Sequence, residues 1–135
     1  MSIRVRRPAT DRLELSQGDH LLVKQDLTAG EYRDMLRAAT KPITMTQASG
    51  AVATIELDPI AAGLAAVLAY LLDWSFADAD GRPLVIADQP AAVVRAALDH
   101  IDHATYMEVQ TAIQGHQAAR AAALAEEKKT AIGAP

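Results

Sequence analysis

A single block, Asp73-Trp74-Ser75-Phe76-Ala77-Asp78-Ala79-Asp80-Gly81-Arg82-Pro83, holds the only tryptophan and the only phenylalanine of this 135-residue chain. It directly follows the longest apolar run, residues 60–72, which Asp58-Pro59 opens with a cap residue and a proline suited to the first helical position. A long apolar helix thus runs into an acidic, glycine-closed turn that carries the two largest rings. Whatever follows must fold back on the helix to cover them. Two readings stand for Trp74 and Phe76: a plug between the central helix and the next one, or an anchor for a partner. Both hold if one ring is buried and the other left at the surface.

The rest of the chain arranges itself around that helix. Arg12-Leu13-Glu14-Leu15 alternates polar and apolar, Ser16-Gln17-Gly18-Asp19 is turn material, and His20-Leu21-Leu22-Val23-Lys24 reads as a second strand. Together they predict a β-hairpin. Thr28-Ala29-Gly30-Glu31 has the form of a capping box. It opens a helix with Tyr32, Met35, Leu36 and Ala39 in one stripe, stopped by Lys41-Pro42. Residues 43–57 admit either a hairpin, with Ile43-Thr44-Met45 and Val52-Ala53-Thr54-Ile55 as its strands, or a loop of polar and small residues.

In the central helix, Ile60, Leu64, Val67, Leu68 and Leu71 are expected to face the core. Ala61, Ala62, Ala65, Ala66 and Ala69 form a smooth strip that permits close approach of another helix. After the turn, Trp74-Ser75-Phe76 is expected to pair with Leu84-Val85-Ile86 in a small hairpin. Asp88 should cap a helix with Pro90 in its first turn and Val94, Ala97, Leu98 and Ile101 buried. Asp102 should cap the last helix, whose stripe is Tyr106, Val109 and Ile113. Beyond Ile113, Leu124 is the only large apolar residue up to Lys129. Helix propensity stays high there, so this segment is expected to be helical and to project or fray. The expected class is α+β, mainly α-helical: a small N-terminal β-hairpin, a compact helical domain and a projecting C-terminal helix. Residues 1–11 form a basic, flexible arm, 12–113 the domain, and 114–135 a weakly anchored Ala/Glu-rich tail.

Charge narrows the range of partners. Residues 1–41 carry eight Lys/Arg against six Asp/Glu, whereas residues 42–127 carry three against eleven. An acidic body of that kind disfavours nucleic acid. Arg4, Arg6 and Arg7 read as a solvated terminus rather than a DNA contact. The thirteen-residue apolar run falls short of the ~20 residues that span a bilayer. The first residues lack the apolar segment of a secretory signal. Absence of cysteine excludes disulfides and thiolate chemistry and suits a reducing cytoplasm.

Residues that invite a chemical reading do not complete one. His100 and His103, with Asp99 and Asp102 beside them, sit at a boundary between two helices and have no second pair at ligand spacing. Asp78 and Asp80 begin like a calcium loop, but the twelfth position is Gln89 rather than glutamate. No G-x-S-x-G turn or phosphate loop is present in the sequence, so neither enzymatic activity nor a cofactor or metal is expected. Trp74, Phe76, Tyr106 and Leu124 are the candidates for structural or partner-binding roles.

The order of these pieces resembles the tail assembly chaperones of long-tailed bacteriophages. Four features carry the resemblance: Leu27-Thr28-Ala29-Gly30-Glu31 after a short hairpin; an apolar helix entering Asp73-Trp74-Ser75; the Asp78-to-Pro83 turn followed by a short helix; and an Ala/Glu-rich helix ending Glu126-Glu127-Lys128-Lys129. The match spans residues 12–130. It implies a protein of the host cytoplasm, absent from the mature virion, that binds the tape measure protein and recruits tail tube subunits. It also implies that a longer, frameshifted form can exist, for which codons of Lys128-Lys129 are a suitable site. Self-association is compatible with the smooth alanine strip. The alternative is a structural virion component, such as a head–tail adaptor or minor tail protein.

Overall fold

The computed structural model describes residues 9–42 and 55–133, with side chains described for 9–40 and 58–129. It is an α+β, mainly helical fold. The hairpin forms as β1 (Thr10–Glu14) and β2 (His20–Lys24), paired antiparallel from Thr10↔Lys24 to Glu14↔His20 around a 3-10 turn at Ser16–Gly18. The sheet begins earlier than the sequence suggests. Thr10 and Asp11 pair within β1, and the Gln25 N–H donates to the Ala9 carbonyl at 2.9 Å. The remainder of the expected arm, residues 1–8, lies outside the described residues.

Helix α1 (Ala29–Ala39) starts on the anticipated capping box: the Thr28 hydroxyl accepts from the Glu31 N–H, and the Glu31 carboxylate accepts from the Thr28 N–H. The chain leaves α1 through a short strand β3 (Thr40–Pro42), paired antiparallel with β4 (Ile55–Leu57). The two possible strands at 43–45 and 52–54 lie outside the described residues. Asp58 caps α2 (Pro59–Tyr70) by accepting from the Ile60 and Ala61 N–H groups.

The face that α2 buries is the expected one except at Ile60. Val67 is fully buried and Leu64 and Leu68 pack on the core, but Ile60 is 87% exposed. Gly63, Ala65, Ala66 and Tyr70 are buried as well. The small strip takes the interior side because both α1 and the last helix crowd α2. At Gly63 an added Cβ would lie 2.5 Å from Oε1 of Gln110 in that last helix. Ile60, in the first turn, lies beyond the reach of this packing.

The apolar run does not continue as helix to Leu72. Tyr70 ends α2, and Leu71–Trp74 becomes β5, the third strand of a sheet ordered β1-β2-β5. Leu21 faces Trp74 and Val23 faces Leu71, with an irregularity at Leu72. A bulge of this kind bends the strand away from the helix axis. The Ser75 hydroxyl clamps the junction, accepting from the His20 N–H and donating to Asp19, each at 2.9 Å.

The expected hairpin after Trp74 is reduced to one bridge, Ala77↔Pro83, with the Leu84 N–H donating to the Phe76 carbonyl at 3.0 Å. The Asp78 carboxylate accepts from the N–H groups of Asp80 and Arg82, and Gly81 takes φ 78°, the left-handed conformation that closes the turn. Asp88 does not cap the next helix. It sits at φ 58° in a turn, and α3 (Ala91–His100) begins after Pro90 without a side-chain cap. Its stripe is as expected, with Val94 and Leu98 buried. Asp102 caps α4 (His103–Gly133) through the Thr105 N–H at 2.7 Å. The core gathers Leu21, Val23, Val67, Trp74, Val109 and Ile113 among others, between one face of the sheet and α2, α3 and α4.

Candidate docking surface

The four residues singled out from the sequence fall in different places. Trp74 is 6% exposed, and its indole N–H donates to the Leu84 carbonyl at 2.8 Å. Phe76 is half-buried beside it, ring centroids 5.0 Å apart and planes tilted by 47°. Tyr106 packs half-buried against the core at the start of α4, where burial pushes its hydroxyl above the usual tyrosine range and Asp99 adds to the effect. Leu124 is half-buried three turns past Ile113 and lines a cleft remote in sequence from the other three. Trp74 and Phe76 therefore form one unit, and Leu124 belongs to another.

That second unit is a cleft of about 480 Å³ between the entrance to α1 and the far half of α4. Leu27 and Tyr32 line one side, Tyr70 the floor, and Gln117, Ala121 and Leu124 the other side. Tyr32 is 51% exposed, and Leu36, one turn further along α1, is also exposed. The stripe Tyr32-Met35-Leu36-Ala39 is thus split: Met35 and Ala39 turn inward while the two larger residues face solvent.

Polar contacts fix the cleft walls. Arg120 makes a bidentate pair with Asp26, its Nε and Nη2 donating at 3.0 and 2.9 Å. This geometry places a planar guanidinium fork on a planar carboxylate. The side chains are only 22% and 11% exposed. Hydrogen bonding to Asp26 raises the Arg120 pKa above its ordinary value. His116 is 7% exposed, with Nε2 at 2.9 and 3.0 Å from the carbonyl oxygens of Lys24 and Gln25. Two carbonyl acceptors require that nitrogen to carry a proton. Its ring stands edge-on to Tyr70, centroids 5.7 Å apart, and burial pushes the Tyr70 hydroxyl up. At the head of α1 the Lys24 ammonium bonds to Glu31; with the Thr28 N–H, it holds the Glu31 carboxyl below the usual range.

The expected weakly anchored tail is therefore tied at His116 and Arg120. Leu124 is the only large apolar anchor that this segment offers up to Lys129. The signal was present in the spacing: Ile113, His116, Gln117, Arg120 and Leu124 fall at three- and four-residue intervals on one helix face. Their polarity hid it. His100 and His103 are exposed at the α3–α4 corner, and among the described residues no group of three His, Asp or Glu side chains is placed to hold a metal. No helix among them is long and apolar enough to cross a membrane.

The fold and its surface define a small α+β, mainly helical protein with an open, apolar-walled cleft beside exposed aromatic and aliphatic side chains. Compared with protein-family models, curated proteins and solved structures, this chain matches none.

Proposed function

We propose that this protein is a phage tail assembly chaperone that binds the tape measure protein, keeps it soluble and helps recruit tail tube subunits during tail morphogenesis in the host cytoplasm. The observation that carries the reading is the cleft between α1 and α4, with Tyr32 and Leu36 exposed at its margin. A chaperone for a long, aggregation-prone helical partner needs accessible apolar side chains on a soluble, charged body. The cleft is open at the surface, and the acidic balance of residues 42–127 suits the solubility requirement. The order of sequence features that resembles this family supports the same reading.

The test is co-expression with a tape measure protein, for which this reading expects a long helical open reading frame immediately downstream. The full chain should raise the soluble fraction of that protein and co-purify with it. A chain ending at Gln114, which lacks one wall of the cleft, should co-purify at least about tenfold less, the equivalent of about 1.4 kcal/mol of binding energy. Equal recovery with both chains would rule out the cleft as the docking surface. Absence of co-purification with the full chain would overturn the chaperone assignment. Mass spectrometry of finished particles should then find the protein missing; its presence would favour a structural virion component.

A further inference from the structure

Helix α4 changes its means of attachment at Gly115. Before that residue, Val109 and Ile113 are fully buried in the core. After it, Leu124 is the only large apolar side chain between residues 116 and 129. There the helix is held by His116 against the carbonyls at the end of β2 and by the Arg120–Asp26 pair. Gly115 itself has no packing reason to be glycine: a Cβ placed there would meet nothing within 4 Å. A glycine inside a helix is less favourable than alanine and leaves the backbone freer to bend.

We infer that Gly115 is a hinge and that residues 116–129 form a helical strap, latched by Arg120–Asp26 and His116 and able to swing open over the cleft. The two halves differ in what release costs. Lifting Val109 and Ile113 exposes apolar surface, which water opposes in proportion to area. Releasing the latch returns a guanidinium, a carboxylate and an imidazole to water, which solvates them well. Opening therefore stops at the glycine, where attachment changes character. It enlarges the cleft and uncovers Leu27 and Tyr70, a smaller apolar exposure that keeps the closed form the major one. The inference concerns the isolated chain and holds whatever partner the cleft takes.

The chain has no cysteine, so paired spin labels can be introduced cleanly at exposed positions. Labels at Arg33→Cys and Lys128→Cys span the strap, and Arg33→Cys with Thr111→Cys spans only the fixed half. The first pair should show a short and a long distance, and the second a single narrow distance. Asp26→Asn should increase the long population about tenfold relative to the short one, because a bidentate ion pair becomes a contact between a guanidinium and a neutral amide. Gly115→Ala should decrease it about two- to fivefold. Raising NaCl to about 1 M should move the unmodified latch in the same direction as Asp26→Asn. A single narrow distance in every variant overturns the hinge. So does a Gly115→Ala chain that opens as readily as the parent. If the long population grows together with loss of helical circular dichroism, the segment frays rather than swings, and the inference fails.

Discussion

The Trp74 turn and the α1–α4 cleft put similar side chains to opposite use. At the turn, the indole is sealed by three kinds of neighbour: Leu21 across the sheet, Phe76 beside it, and the Leu84 carbonyl that takes its N–H. At the cleft, Tyr70 is buried as the floor, but Tyr32 is left half in solvent and Leu36 lies exposed one turn away. The α4 wall there is tied to the end of β2 and the residues after it by an ion pair and backbone carbonyls, alongside the apolar packing of Leu27, Met35 and Tyr70. The chain has only five aromatic residues. Committing two to a plug stabilises the body, while keeping one at an open margin leaves surface for docking. The difference shows that aromatic placement, more than aromatic content, separates a sealed part of the molecule from one left open to solvent.

The strongest way to break this contrast is Trp74→Ala. Loss of a buried indole in a well-packed site should reduce unfolding free energy by about 3–5 kcal/mol, read from urea midpoints at constant slope. A change below about 1 kcal/mol coupled with loss of partner binding would move Trp74 from core plug to docking anchor and erase the distinction between the two regions.

Much of the Trp74 side was legible in the sequence, and much of the cleft was not. Caps report local chemistry, so Thr28-Glu31, Asp58-Pro59 and Asp102 opened α1, α2 and α4 as expected. The buried stripes of α3 and early α4 follow from periodicity. Ile60 failed because it sits in the first turn, outside the packing of α1 and α4 on α2, and Leu72 for another reason. An apolar run carries no mark of where helix yields to strand, and the pairing of Leu71–Trp74 with β2 is a tertiary contact nearly fifty residues away in sequence. Asp88 failed because an aspartate tolerates the left-handed conformation of a turn as readily as it caps a helix. At the cleft, Leu124 was the one visible member. Arg120–Asp26 and His116 depend on partners about ninety residues distant, for which no local pattern exists.

A smaller effect tests whether the cleft wall is held by charge. The Lys24–Glu31 contact and the Thr28 N–H hold the Glu31 carboxyl below its ordinary value of 4.5. A carboxyl whose pKa is lower folded than unfolded stabilises the protein above the unfolded value, and that contribution is lost as pH falls through the folded value. Glu31→Gln should therefore be less stable than the parent at neutral pH, and the gap should close as pH falls below 4.5 and through the lower folded value. Glu31 is about one-third exposed, so solvent screens the interaction and the gap should be modest. A gap that stays constant with pH would mean that shape and packing set the entrance to α1. The cleft would then be built like the Trp74 turn.

The smallest expected effect on folding is also the sharpest discriminator. Tyr32 is 51% exposed, and its replacement by serine removes little buried area while leaving the Thr28–Glu31 capping box untouched. Stability should change by no more than about 0.5 kcal/mol, as for surface positions in general. If Tyr32 lies at a docking margin, the same substitution should weaken co-purification with the tape measure protein severalfold, since an aromatic ring at a contact contributes far more there than it does half-solvated in the free protein. The opposite pairing, a clear loss of stability with binding intact, would place Tyr32 with Trp74 as part of the fold. Measuring the Tyr32→Ser and Trp74→Ala variants side by side compares two aromatic positions under the same two readouts. Only a crossed result, stability lost at one and binding lost at the other, keeps the two regions distinct.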